Sequence, residues 1–182
     1  MKVRPSRRNA PIALGASLAL VSALATAPAA PVAAAALPRL EADAIGGNHV
    51  VLPTDAAGKP LVILLAFTRE SEGDLKSWSR KLLEDHVVQN AAVYVVVVAD
   101  KIAFTSRRHI RKVVEGSAVG TKSQIDNNVL ITFSGDAWRA LTPPGDKHTA
   151  GIVVCDGSGN VVLAKREPYN DANLSDVEKA AK

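Results

Sequence analysis

The chain has 182 residues, with 22 Lys and Arg against 18 Asp and Glu, and a single cysteine. One cysteine excludes an internal disulfide, even in an oxidising compartment where bridges persist. The excess positive charge sits in the leader: Lys2, Arg4, Arg7 and Arg8 are followed by an Ala/Leu-rich run ended by Pro28 and Pro31. Without residues 1–36 the charges balance at 18 of each sign. That removes the main support for nucleic acid as a partner, because phosphate binding needs net or patchy positive charge.

A basic start, a short apolar core and an Ala-x-Ala end describe a secretory signal, with the cut expected after Ala36. A retained membrane anchor is the alternative, although the run is short for a span of about 20 apolar residues. Ser6-Arg7-Arg8 resembles a twin-arginine export signal, with Ala10 and Pro11 where that motif carries bulky apolar residues. No cysteine lies near the cut, which excludes a lipid-anchored lipoprotein. Residues 37–182 are long enough for one domain with a real core.

In chain order, Leu37–Asn48 reads as a lead-in and His49–Leu52 as a small edge strand. Asp55–Gly58 is a turn. Leu61–Phe67, LVILLAF, is a continuous apolar run and predicts a central strand covered on both faces. Leu75, Trp78, Leu82, Leu83 and Val87 recur at helical spacing and predict a helix from about Glu72 to Gln89. Ala92–Ala99 is a second unbroken apolar strand, so the two strands and the helix form a βαβ unit. Thr105–Glu115 predicts a helix with Ile110, Val113 and Val114 inward and Arg107, Arg108, Arg111 and Lys112 outward on a solvated face. Gly116–Asn128 reads as a polar loop and Val129–Phe133 as the third strand, followed by a short turn or helix around Ser134–Trp138. Ile152–Asp156, Gly157–Asn160 and Val161–Lys165 form the clearest hairpin. A C-terminal helix follows over Asn173–Lys182, with Ser175 or Asn173 near its cap.

This order, carried by GKPLVILLAF, VYVVVVAD and GIVVCDGSGNVV, resembles the thioredoxin-like superfamily, in its redoxin and peroxiredoxin-like branch. The implied fold is an α/β three-layer sandwich: a mixed central sheet, a C-terminal antiparallel hairpin and flanking helices. TAGIVVCDGSGNVVLAK also resembles the hairpin of YtfJ-type periplasmic proteins. The outline is similar to the mitochondrial thioredoxin-like factor that assists ATP synthase assembly.

In redox members the first strand leads into Cys-x-x-Cys at a helix N-terminus, whose partial positive charge favours a thiolate. Aligned on LVILLAF, those positions fall near Ser71 and Asp74, so disulfide exchange is not available there. Ser71 and Asp74 instead match a capping box. Glu72 and Asp74 suit a first turn, where the dipole keeps carboxylates ionised and poor as general acids. Glu70, Glu72 and Asp74 make at most a loose oxygen site for a hard cation, and the reading preferred over it is a solvated acidic turn. Copper binding of the copper-chaperone kind fails for want of a Cys pair. None of His49, His86, His109 and His148 has a nucleophile–base spacing to Ser71, and only His148 lies near a loop that approaches it. Where redox members carry a cis-proline facing the Cys pair, this chain reads Thr149-Ala150-Gly151. Cys155 lies in the apolar hairpin strand and reads as a small buried hydrophobe. Arg69 either pairs with Glu70, Glu72 or Asp74 or faces a partner's carboxylate.

The expected function is therefore a non-catalytic, exported binding or assembly protein, periplasmic or secreted, with a partner in the cell envelope and no cofactor. Its expected surface is Arg69, Glu70, Ser71, Glu72 and Asp74 with the facing turn Thr149, Ala150 and Gly151. Two alternatives stay open. One is an enzyme of thiol-independent chemistry on the same face, and the other a single-cysteine redox protein using Cys155.

Overall fold

Three parallel strands, β3 (Leu61–Ala66), β4 (Ala92–Val98) and β5 (Val129–Thr132), lie side by side at the centre of a seven-stranded mixed sheet. The computed structural model describes residues 35–84, 88, 90–99 and 104–182. Residues 1–34 of the expected leader (1–36) lie outside the described residues, as do Asp85, His86, Val87 and Gln89 of the predicted first helix. The sheet order is β2-β1-β5-β4-β3-β6-β7, with β1 (Leu40–Ala44), β2 (His49–Leu52), β6 (Gly151–Cys155) and β7 (Val161–Lys165) antiparallel to their neighbours.

Every residue of β3 is buried, and its side chains alternate between two cores, as the period of two in a strand requires. Val62 and Leu64 join Trp78 of α1 (Glu72–Ser79) and Leu174 and Val177 of α5 (Asp171–Ala180). Leu61, Ile63 and Leu65 join Leu40, Leu52, Leu130 and Cys155, with Trp138 of α4 (Asp136–Arg139) closing that side. Helices on both faces of a curled mixed sheet make the α/β thioredoxin-like architecture that the apolar runs predict. Among the described residues no helix is long and apolar enough to cross a membrane.

Five local expectations are corrected. The lead-in contains a strand: β1 pairs with both β2 and β5, burying Leu40, Ala42 and Ala44 and exposing Glu41 and Asp43. The first helix leaves α geometry at Ser79 and continues as a π-helical turn over Arg80–Glu84, which keeps Leu82 and Leu83 buried. The second helix, α2, spans Phe104–Ser117, but its face is not the one expected: Val113 is 48% exposed. Arg111 is not on a solvated face either, since it donates to the Ile45 carbonyl at 2.9 Å. The polar stretch before β5 is not all loop. It holds α3 (Lys122–Asn128), started by a capping box in which the Gln124 N–H donates to Thr121 Oγ1 and the Thr121 N–H to Gln124 Oε1. Finally α5 is capped by Asn170, whose Oδ1 accepts from the Asn173 N–H at 2.8 Å.

The N-terminal edge of the described chain is tied to the hairpin. Ala36 bridges Asn160, Leu37 N–H donates to the Gly159 carbonyl, and Val161 N–H donates to the Ala35 carbonyl. The expected cut after Ala36 falls inside this pairing. The hairpin turn itself is held by Asp156, whose Oδ1 accepts from the Ser158 and Asn160 N–H groups, while Gly159 supplies a φ of +83°.

On the outer sheet edge His49 of β2 faces Asp43 across the β1–β2 pair, its Nδ1 3.1 Å from Asp43 Oδ1. The hydrogen bond to Asp43 is the main reason its pKa is raised. The folded state then holds the proton more tightly than the unfolded chain. Its contribution to stability is complete below the unfolded value of about 6.5 and is lost as pH rises through the higher folded value. The stability difference between the wild type and His49→Ala should shrink across that window. A difference that does not vary with pH, measured by urea titrations at several pH values, would contradict this reading.

Candidate functional site

Phe67 follows the last residue of the central strand, and the chain turns at Thr68 into a single 3-10 turn, Arg69–Ser71, before α1 begins. This is the carboxyl end of a central strand meeting a helix N-terminus, the usual place for ligands in open α/β sheets. The capping box expected of Ser71 and Asp74 is absent: Ser71 makes no side-chain cap. Thr68 caps instead, its Oγ1 accepting from the Ser71 N–H at 3.3 Å and donating to the Lys147 carbonyl. Ser71 is fully buried, and its hydroxyl donates back to the Thr68 carbonyl at 2.8 Å. It is therefore part of the turn's framework rather than a group presented to a ligand. Thr68→Val, which keeps the shape and deletes the hydroxyl, should cost about 0.5–2 kcal/mol. An unchanged urea midpoint for that variant would remove Thr68 from the role of cap.

Asp74 reaches across to the facing turn. Its Oδ2 accepts from the Ala150 N–H at 2.8 Å and its Oδ1 from the Tyr169 N–H at 2.7 Å. One carboxylate thus ties α1 both to the turn before β6 and to the segment after β7. Tyr169 in turn sets its ring against Trp78, edge to face at 5.2 Å between centroids. The Thr149–Ala150–Gly151 turn is braced from its other side: Thr149 Oγ1 donates to the Asp146 carbonyl, and Arg166 Nε donates to the Thr149 carbonyl. Gly151 is tightly hemmed in: an added Cβ would lie 3.0 Å from Thr142 and 3.1 Å from Phe67, so those side chains would have to give way. Phe67 carries the Arg166 guanidinium over its ring at 4.8 Å and that of Arg139 at 5.8 Å. The cis peptide bond among the described residues is Leu52–Pro53, not one in this turn.

The loop and the facing turn singled out in the sequence are therefore brought together, but not all their residues are presented. Arg69 and Glu70 are exposed, Glu72 and Asp74 half-buried, Ser71, Ala150 and Gly151 buried, and Thr149 half-buried. Glu70 lies 3.7 Å from Lys147 Nζ, and its carboxyl is held below the usual range, chiefly by its own backbone N–H and then by Lys147. Glu72 pairs with Lys76 one helical turn on, at 2.8 Å. The three carboxylates are thus engaged separately rather than converging on one point. Arg69 takes none of the pairings considered for it, and no ion pair to it occurs among the described residues. His148 stands in the same turn and is exposed, its N–H donating to Asp146 Oδ1 at 2.7 Å.

Cys155 is fully buried in β6. Burial, with Asp156 next to it, pushes the thiol pKa up to about 11. Opposite it in register stands Leu61 of β3, at the strand end away from the Thr68 junction.

Sequence reasoning missed Tyr169 and Arg166, because each meets the site through the fold and not through a local motif. It also missed an apolar groove of about 430 Å³ beside Thr68 and Arg69, lined by β4 and α2.

A strand–turn–helix junction facing a turn before an antiparallel hairpin defines the class, and the chain has the thioredoxin-like fold. No profile of a known protein family matches it, and neither does any curated protein. Solved structures match over most of its length. The pneumococcal exposed lipoprotein thioredoxin Etrx1 of Streptococcus pneumoniae aligns with a TM-score of 0.54 and 17% identity, over 78% of this chain and 98% of that one. A thiol:disulfide interchange protein from Bacteroides sp. gives 0.56 and 18%, over 81% and 89%. BsSco, a member of the Sco family of cytochrome c oxidase assembly proteins, gives 0.56 and 13%, over 85% and 97%. At such identities the likeness is one of fold.

Proposed function

We propose that this is an exported, non-catalytic binding or assembly protein acting in the cell envelope. Its contact surface is the Thr68–Asp74 junction with the Thr149–Gly151 turn. The observation that carries this reading is the state of Asp74. A side chain close to the redox position of the fold is hydrogen-bonded to two main-chain N–H groups and serves to lock the junction to the facing turn. The chain's one cysteine, buried and distant in register, supports the same reading. Structures described as thiol:disulfide interchange proteins share the fold, but their chemistry needs a thiolate with a partner thiol. BsSco is described as having a disulfide switch, which a chain with one cysteine cannot form internally. The leader accounts for export, and the YtfJ-like hairpin sequence fits the same compartment.

On this surface the exposed Arg69 and Glu70 are the contact residues, and Ser71 and Asp74 hold them in place. The protein should capture an envelope component in a fixed ratio without consuming it. Reversing the charges, Arg69→Glu with Glu70→Lys, should abolish capture while leaving the folded state intact by circular dichroism. Saturable turnover of a substrate, lost in the same variant, would overturn the proposal in favour of an enzyme.

A further inference from the structure

The groove beside Thr68 and Arg69 has a volume of about 430 Å³, within the range of small-molecule sites. Its walls are aliphatic: Val95, Val97 and Ala99 from the β4 side and Val113, Val114 and Ala118 from the α2 side. Val113 is among the described chain's exposed large apolar residues, at 48%. Polar groups stand at the Thr68, Arg69 and Glu72 side. Two of the three are already engaged, Thr68 with the Ser71 N–H and the Lys147 carbonyl, and Glu72 with Lys76. Arg69 is exposed and has no ion pair among the described residues, so its guanidinium is the cationic group that stands beside the apolar cleft.

The main chain of the groove decides what kind of apolar body fits. β4 is paired on one edge with β3 and on the other with β5. Its N–H and C=O groups are directed into the sheet, and the floor offers no strand edge for another backbone. A peptide laid there would bury amides without partners, each a substantial penalty. An unbranched hydrocarbon chain has no such groups. From these observations we propose that the groove binds an aliphatic carboxylate, its chain between β4 and α2 and its anionic head on Arg69. The site shares Arg69 with the contact surface proposed above but does not rest on that proposal.

The test uses submicellar dodecanoate and isothermal titration calorimetry on the purified protein. Saturable binding at one site per chain is expected. Dodecanol, with the same chain and no charge, should bind at least about fivefold more weakly, and dodecyltrimethylammonium should not bind measurably. Arg69→Ala should bring dodecanoate down to the level of dodecanol. Val113→Glu, at a position that is 48% exposed, should remove binding by placing a carboxylate at the groove. Absence of saturable dodecanoate binding, equal binding of the ammonium compound, or binding retained in both variants would each overturn the assignment. Failure of the unmodified protein to capture an envelope component while it binds dodecanoate would count against the contact surface alone, and the converse against the groove alone.

Discussion

Asp74→Ala is expected to cost about 2–4 kcal/mol, since it leaves two inward-facing main-chain donors without an acceptor. The donors are the N–H groups of Ala150, which is fully buried, and of Tyr169, which is half-buried. Asp74→Asn keeps one carbonyl oxygen but turns an NH2 group towards the other donor, so its loss should be intermediate or nearly as large. Urea denaturation gives the magnitude, and hydrogen exchange gives the place. In either variant the Ala150 and Tyr169 amides should lose protection before the amides of β3 do. A variant with an unchanged midpoint and with both amides still protected would mean that other groups hold the facing turn.

The second large effect concerns reactivity. With a pKa of about 11, Cys155 holds on the order of one thiolate per ten thousand molecules at pH 7. Even that thiolate is shut off from solvent, because the β6 side chain is fully buried in the core. Alkylation of the native protein at neutral pH should therefore be at least about a hundredfold slower than that of the unfolded chain. The domain should neither reduce disulfides nor consume peroxide, and Cys155→Ala should leave binding intact. Cys155→Ser should be the more damaging change, by about 1–3 kcal/mol, because it puts a hydroxyl among Leu61, Ile63, Val153 and their neighbours. Rapid labelling of the folded protein, or a mixed disulfide recovered from cells, would show the thiol to be functional after all.

What could be read from the sequence followed from where burial is complete. β3 and β4 are covered on both faces, so their apolar runs are continuous and need no tertiary information to recognise. β1 carries a true alternation, Leu40-Glu41-Ala42-Asp43-Ala44, but its inward residues are largely alanines, poor strand formers. Pairing with β2 and β5 makes it a strand. α3 has no buried residue, so hydrophobic periodicity has nothing to detect; its one sequence signal was Thr121-x-x-Gln124. The loop and the facing turn do come together in the fold, but the roles expected of residues inside them were not those found. Asp74 looks like a local cap when only its neighbours are considered. Its real partners lie 76 and 95 residues further along the chain. A side chain whose contacts are that remote cannot be assigned from local spacing.

The stitch between Ala35–Leu37 and the turn of the C-terminal hairpin has a kinetic meaning. Its two halves lie about 120 residues apart, close to the longest separation that the described chain allows, and such pairings are the slowest to form. β1, directly after the stitch, waits for β5, and the stitch itself waits for the hairpin. A polypeptide made N-terminus first thus holds Ala35–Leu37 unmatched until the hairpin around Asn160 has followed. The topology makes completion of the sheet a late event in folding.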